Sequence, residues 1–120
     1  MMASFEYQIE RGELVIFRLP ERVEVWRGSF DGGSVVKMSA TPESDGCAVV
    51  LFGTHVEQRR NLLRVATDGS ILWRAATPPG EFGYSNVWLD AGKLYAFASS
   101  GYLILLDSDT GAILEEVFTK

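Results

Sequence analysis

Eleven short apolar runs, each closed by a turn, leave this chain little to build except strands. They span 6–10, 13–19, 22–28, 34–40, 47–53, 62–66, 70–75, 86–90, 93–99, 102–106 and 112–118. Most are rich in Val, Ile, Leu and aromatic residues. Several alternate: Val23 and Val25 interleave with Arg22 and Glu24, and Val87 and Leu89 flank Trp88. A period of two is the signature of a strand with one face buried. Between the runs stand Glu-Arg-Gly, Asp-Gly-Gly, Glu-Ser-Asp-Gly, Thr-Asp-Gly, Asp-Ala-Gly, Ser-Ser-Gly and Ser-Asp-Thr-Gly. Each offers a residue that tolerates the positive φ of a tight hairpin turn. The polar stretch 54–61 is too short to hold a helix alone. The expectation is an all-β fold of antiparallel hairpins, in one domain over residues 1–120. At 47% hydrophobic residues the chain has enough apolar material for a core.

Two stretches repeat. Residues 61–75, NLLRVATDGSILWRA, overlay 101–117, GYLILLDSDTGAILEEV, with Gly69 on Gly111. Residues 23–40 overlay 70–90, with Trp26-Arg27 on Trp73-Arg74. The offsets are 42 and 47 residues, in the range of four-stranded propeller blades. Arg27 and Arg74 follow equivalent tryptophans and are expected to point to the solvent side of their strands.

The segments LYAFASSGYLILLDSDTGAILEEV and LLRVATDGSILWRA resemble the repeat of pyrroloquinoline-quinone-type β-propellers. That pattern runs from an apolar strand through an Asp-x-x-Thr-Gly turn to a Gly-x-x-x-Trp spacing, which Gly69 and Trp73 match. The resemblance implies that the tryptophan docks blade on blade. Glu115 stands where the last repeat wants tryptophan, which leaves that blade edge uncapped or solvent-facing. The implied architecture is an antiparallel meander of propeller-blade-like four-stranded units: a partial blade at 5–28, a blade at 34–76 and a blade at 85–118. Closed propellers have four to eight blades, so the expectation is an incomplete propeller. The aromatics Trp26, Trp73, Trp88, Tyr95, Phe97 and Tyr102 are expected to pack in the core or between blades. The quinone enzymes of this family use a complete propeller, calcium-binding residues and a pair of adjacent cysteines. This chain has one cysteine, Cys47, so neither quinone nor any other cofactor is expected.

The longest connections, 54–61 and 76–85, should project from the same face of the blades. Loops held on a rigid scaffold commonly carry function. This face would gather His55, Glu57, Arg59, Arg60, Glu81, Phe82 and Tyr84, a mixture that suits a protein interface.

Catalytic and metal chemistry find little support. His55 is the only histidine, so a Cys-His pair would need Cys47, roughly 20 Å away along an extended strand. Cys47 sits in an apolar run, where a free thiol behaves as a small buried hydrophobe. The triplet Asp109-Thr110-Gly111 matches that of aspartic proteases, but only nine residues follow it, too few for the flap and second glycine turn such an enzyme needs. Asp107 and Asp109 have calcium-loop spacing, yet Gly111 holds the third position and no distal bidentate glutamate follows. Both aspartates are read as bracing a turn. No catalytic residue, no metal ligand and no enzymatic activity are expected.

The formal charge is −5, with seven basic and nine acidic residues in 1–60 and four and seven in 61–120. No basic patch points to nucleic acid, and an acidic surface favours a basic partner. The longest apolar runs are too short to span a bilayer, and residues 1–12 carry no secretory pattern. The sequence therefore reads as a cytoplasmic, non-catalytic protein-binding module, in a specific version a bacterial immunity-type inhibitor of a basic toxin. The alternative is a structural propeller fragment that completes a ring by homo-oligomerisation.

Overall fold

In a computed structural model of the chain, residues 4–42 and 45–119 are described. Strands β1 (Ser4–Glu10), β2 (Glu13–Leu19) and β3 (Val23–Gly28) form the first sheet. The middle sheet holds β4 (Ser34–Ala40), β5 (Gly46–Phe52), β6 (Leu62–Ala66) and β7 (Ile71–Arg74). The last holds β8 (Tyr84–Asp90), β9 (Lys93–Ala98), β10 (Tyr102–Leu106) and β11 (Ile113–Phe118). Every pairing is antiparallel between strands consecutive in sequence. The all-β meander expected from the sequence is what forms, and the sheets do not close into a barrel. Glu43 and Ser44 of the expected Glu-Ser-Asp-Gly turn lie outside the described residues. No helix among the described residues is long and apolar enough to cross a membrane.

The middle sheet is covered on both sides, which explains the unbroken apolar run of β5. Cys47, Val49, Leu51, Leu63 and Val65 face the first sheet and pack with Leu14, Ile16 and Phe30. Ala48, Val50, Leu62 and Trp73 face the other way and pack with Tyr84, Val87, Leu94, Ala96 and Ile104 of the last sheet. A strand buried on both faces has no solvent side to mark with polar residues. The exception is Arg64 on β6, 7% exposed. Its guanidinium donates to Asp45 at 2.5 Å and to the Ser108 carbonyl at 2.6 Å. A buried charge is tolerated when it is paired in this way.

Neighbouring sheets dock through a repeated contact. Trp26 on β3 lies against Gly69 in the β6–β7 turn, and Trp73 on β7 lies against Gly111 in the β10–β11 turn. Both glycines have left-handed φ, +87° and +79°. A Cβ at Gly69 would stand 2.1 Å from the indole of Trp26, so the seat requires glycine for space as well as for φ.

At either end of the series one half of this contact is replaced. In the β2–β3 turn the glycine position is taken by Arg22, also left-handed at φ +61°. Its guanidinium covers the ring of Phe17, 4.1 Å from the centroid, and bonds Glu6 and Gln8. With Arg27, paired to Glu10, Glu13 and Glu24, it forms a charged layer that buries Val15 and Phe17 on the outer face of the first sheet. On β11 the tryptophan position is Glu115, opposite Leu105.

One expectation about side chains needs correction. Trp88, Tyr95 and Phe97 do not pack between sheets. They share the outer face of the last sheet, where Trp88 and Tyr95 stack at 6.0 Å, because the inward positions of β9 are Leu94, Ala96 and Ala98. Arg27 and Arg74 point outward, and both are held in ion pairs.

Candidate protein-binding face

The connections 54–61 and 76–83 leave the same end of the molecule and are fastened to one another. Asn61, 7% exposed, is the fastener. Its Nδ2 donates to the carbonyls of Leu51 and Tyr84, and its Oδ1 accepts from the Tyr84 amide at 2.9 Å. One amide side chain thereby links the end of β5 in the middle sheet to the start of β8 in the last. Arg59 donates to the Pro78 carbonyl at 2.8 Å, and Ser100 Oγ to the Pro79 carbonyl at 2.7 Å. Gly83 is fixed by crowding, because a Cβ there would stand 1.6 Å from the Gln58 carbonyl oxygen. A single 3-10 turn, Gln58–Arg60, crosses the gap.

Between these loops lies a notch of about 140 Å³, lined by Leu51, Val56, Asn61, Gly83 and Tyr84. Phe52 and Phe82 also line it, and they are 69% and 52% exposed. A second hollow of about 410 Å³ is bounded by Asp31, His55, Glu57, Arg60 and Arg74. In its wall Arg74 donates both Nη atoms to the Asp31 carboxylate, at 2.7 and 2.9 Å. That bond holds the Asp31 carboxyl below the usual aspartate range. It also ties β7 of the middle sheet to the turn that enters that sheet.

The structure brings together His55, Glu57, Arg59, Arg60, Glu81 and Phe82, all exposed, on the two fastened loops. Tyr84 is different. It is 3% exposed and its hydroxyl donates to the Ala76 carbonyl, so it forms the floor of the notch and offers little surface. Burial pushes its phenol well above the usual tyrosine value. Phe52 and Asn61 belong to the face and escape the sequence reading. Phe52 closes an apolar run and looks like its last core residue, and nothing about a lone asparagine before a strand marks it as a clamp.

Cys47 and the 107–111 turn lie away from this face. Cys47 is fully buried, and burial raises its thiol to about 12. Among the described residues no three His, Cys, Asp or Glu side chains are grouped to hold a metal ion. In the 107–111 turn the Asp107 carboxylate accepts the Asp109 amide at 2.8 Å, and Gly111 donates its amide to the Asp107 carbonyl. Asp109 itself is almost fully exposed, 3.8 Å from Arg64, so of the two aspartates only Asp107 braces the turn, alongside the Thr110 hydroxyl, which accepts the Ala112 amide.

The chain belongs to the family described as Domain of unknown function (DUF7957), matched over residues 37–118. No curated protein matches it. Among solved structures it is similar to BamB from Moraxella catarrhalis, with a TM-score of 0.65 at 10% identity, covering 99% of this chain and 35% of that one. It is also similar to the Pan2 WD40 domain of Neurospora crassa, with a TM-score of 0.56 at 14% identity, covering 94% of this chain and 35% of that one. The chain thus spans about a third of the length of these structures, and its fold is β-propeller-like.

Proposed function

We propose that the protein is a non-catalytic protein-binding module that engages its partner with the fastened loop face. The observation that carries this reading is the pair Phe52 and Phe82, exposed on either side of a small preformed notch. A notch of this size accommodates one apolar side chain, and exposed aromatics around a rigid pocket are where binding energy concentrates at interfaces. The loops are already ordered by Asn61, Arg59 and Ser100, so little entropy is lost on binding. Arg60, Glu57 and Glu81 supply a polar rim. The Trp-on-Gly seats support a repeat of the pyrroloquinoline-quinone type, without the quinone chemistry.

In its narrower form the module is a cytoplasmic immunity-type inhibitor of a bacterial toxin. The net charge of −5 supports a basic partner. The test is cross-linking capture from the source cells, followed by titration of each purified candidate against wild type and against Phe52→Ser and Phe82→Ser. A true partner binds wild type and loses about tenfold or more in affinity with each variant. A partner that binds all three proteins equally overturns the assignment of this face. Failure to recover any partner, with the purified module added in excess, counts against the binding function itself.

A further inference from the structure

The outer face of the last sheet is apolar where the outer face of the first is charged. Its outward apolar positions are Trp88 on β8, Tyr95 and Phe97 on β9, Leu103 and Leu105 on β10, and Val117 on β11, with Asn86, Asp90, Lys93 and Glu115 as polar positions around them. None of the six apolar residues is fully buried, and Val117 is 56% exposed. Leu114, at the β11 bulge, adds 57% exposure beside a shallow hollow of about 400 Å³ that it shares with Lys93 and Leu105. A monomer rarely presents a contiguous apolar face of this kind without a use for it.

We propose that this face pairs with the same face of a second copy, giving a symmetric dimer. Two features select that occupant over a further sheet of the same series. Sheets within the chain dock by setting a tryptophan on a glycine of the next, but the last sheet carries Glu115 in the tryptophan position. Head-to-tail stacking of copies, the arrangement that would build a ring, also fails at the other end. There Arg22 fills the glycine seat and the ion pairs of Glu6, Glu10 and Glu24 cover the sheet. Laying an apolar face on that layer would desolvate those charges with nothing to replace the lost water. Face-to-face pairing avoids both conflicts, and a two-fold contact closes on itself at two copies.

A two-fold axis running along the strands between β9 and β10 sets β9 of one copy over β10 of the other, so the apolar centre of the face lies on itself. It brings Glu115 on each β11 over the β8–β9 hairpin of the partner, toward Lys93 and toward Asp90, the cross-strand neighbour of Lys93. Lys93 and Glu115 lie on opposite sides of the sheet midline, so this contact occurs twice. Four strands about 4.8 Å apart and about six residues long give a face of about 19 × 20 Å in plan. With side-chain relief this buries roughly 600 Å² from each copy, the lower end of the range for specific interfaces, so the dimer should dissociate in the micromolar range.

Sedimentation equilibrium of the full chain across micromolar to submillimolar concentrations tests the proposal. Wild type is expected to sediment as a reversible monomer–dimer. Leu103→Glu should remain monomeric. Lys93→Glu should weaken pairing at least tenfold, and adding Glu115→Lys to it should restore pairing. The charge variants alter exposed positions only, and circular dichroism at each step confirms the fold. Phe82→Ser, on the separate loop face, should dimerise as wild type does, so this outcome stands or falls independently of the partner-binding role. A monomeric wild type throughout, a different protein seated on the face with no self-pairing, or a dimer untouched by both Leu103→Glu and Lys93→Glu would each overturn it.

Discussion

The indole of Trp73 lies against the bare Cα of Gly111, and its Nε1 donates to the carbonyl oxygen of Ser108 at 2.8 Å. One side chain from the middle sheet thus reads both the shape and the polarity of a turn in the last sheet. Arg64 shares the same carbonyl, so two residues of the middle sheet converge on one acceptor.

Gly111→Ala should separate space from backbone strain when set beside Gly92→Ala. Both glycines are left-handed, at φ +79° and +76°. A Cβ at Gly111 would stand 2.6 Å from Trp73, whereas one at Gly92 meets nothing within 4 Å. Gly92→Ala should cost about 1 kcal/mol. Gly111→Ala should cost more, about 2–4 kcal/mol, because the indole must also move. Urea denaturation of the two variants gives the difference directly.

Trp73→Phe keeps most of the apolar volume but removes the indole donor. Ser108 retains its bond from Arg64, so no buried acceptor is stranded and the loss should be about 1–2 kcal/mol. Trp73→Ala also empties the space between the sheets and should cost about 3–5 kcal/mol. Equal losses in the two variants would mean that the hydrogen bond, not packing, secures this contact.

Asp107→Ala should destabilise by about 1 kcal/mol through loss of its bond to the Asp109 amide. Asp109→Ala, at an exposed side chain 3.8 Å from Arg64, should stay within about 0.5 kcal/mol of wild type. Thermal melts of the two variants decide which aspartate braces the turn.

The Asp31–Arg74 pair should make stability depend on acid pH. Its folded carboxyl lies below the ordinary value because Arg74 bonds the ionised form. Its contribution is therefore complete above the unfolded aspartate value of about 3.9 and is lost as pH falls through the folded value. Wild type should exceed Asp31→Asn in stability at pH 7, and the gap should narrow below pH 4. A gap that stays constant down to pH 2 would show that ionisation of Asp31 contributes nothing.

Cys47 offers a silent reporter of unfolding. Its thiol is buried and raised to about 12, so an aromatic disulfide reagent should react only as fast as the fold opens. Adding denaturant should raise the labelling rate in step with the unfolded fraction.

Much of the fold is legible because turns and strands are local. Gly12, Gly69, Gly92 and Gly111 announce their hairpins, and the runs between them fall within a residue or two of the observed strands. The repeat is legible through Trp26, Trp73 and the glycines that receive them. Arg22 is not, because an arginine at left-handed φ carries no local signal and is identified only by its place in the series. The aromatic face of β9 is misread for a related reason. Large residues are expected inside, but the gap beneath β9 is already occupied by Trp73, Tyr84 and Leu62, so Ala96 and Ala98 fit there and Tyr95 and Phe97 turn out. In the loop face the charged rim is visible from the sequence, while Asn61 and Phe52 depend on contacts between distant segments.

The middle sheet belongs to both hydrophobic clusters, and this makes the three layers interdependent. Peeling away the first sheet bares Cys47, Val49 and Leu63, and peeling away the last bares Val50, Leu62 and Trp73. Neither departure leaves a layer whose two sides are content in water. Damage at one end should therefore be felt at the other, and the described chain should melt in one cooperative step rather than sheet by sheet.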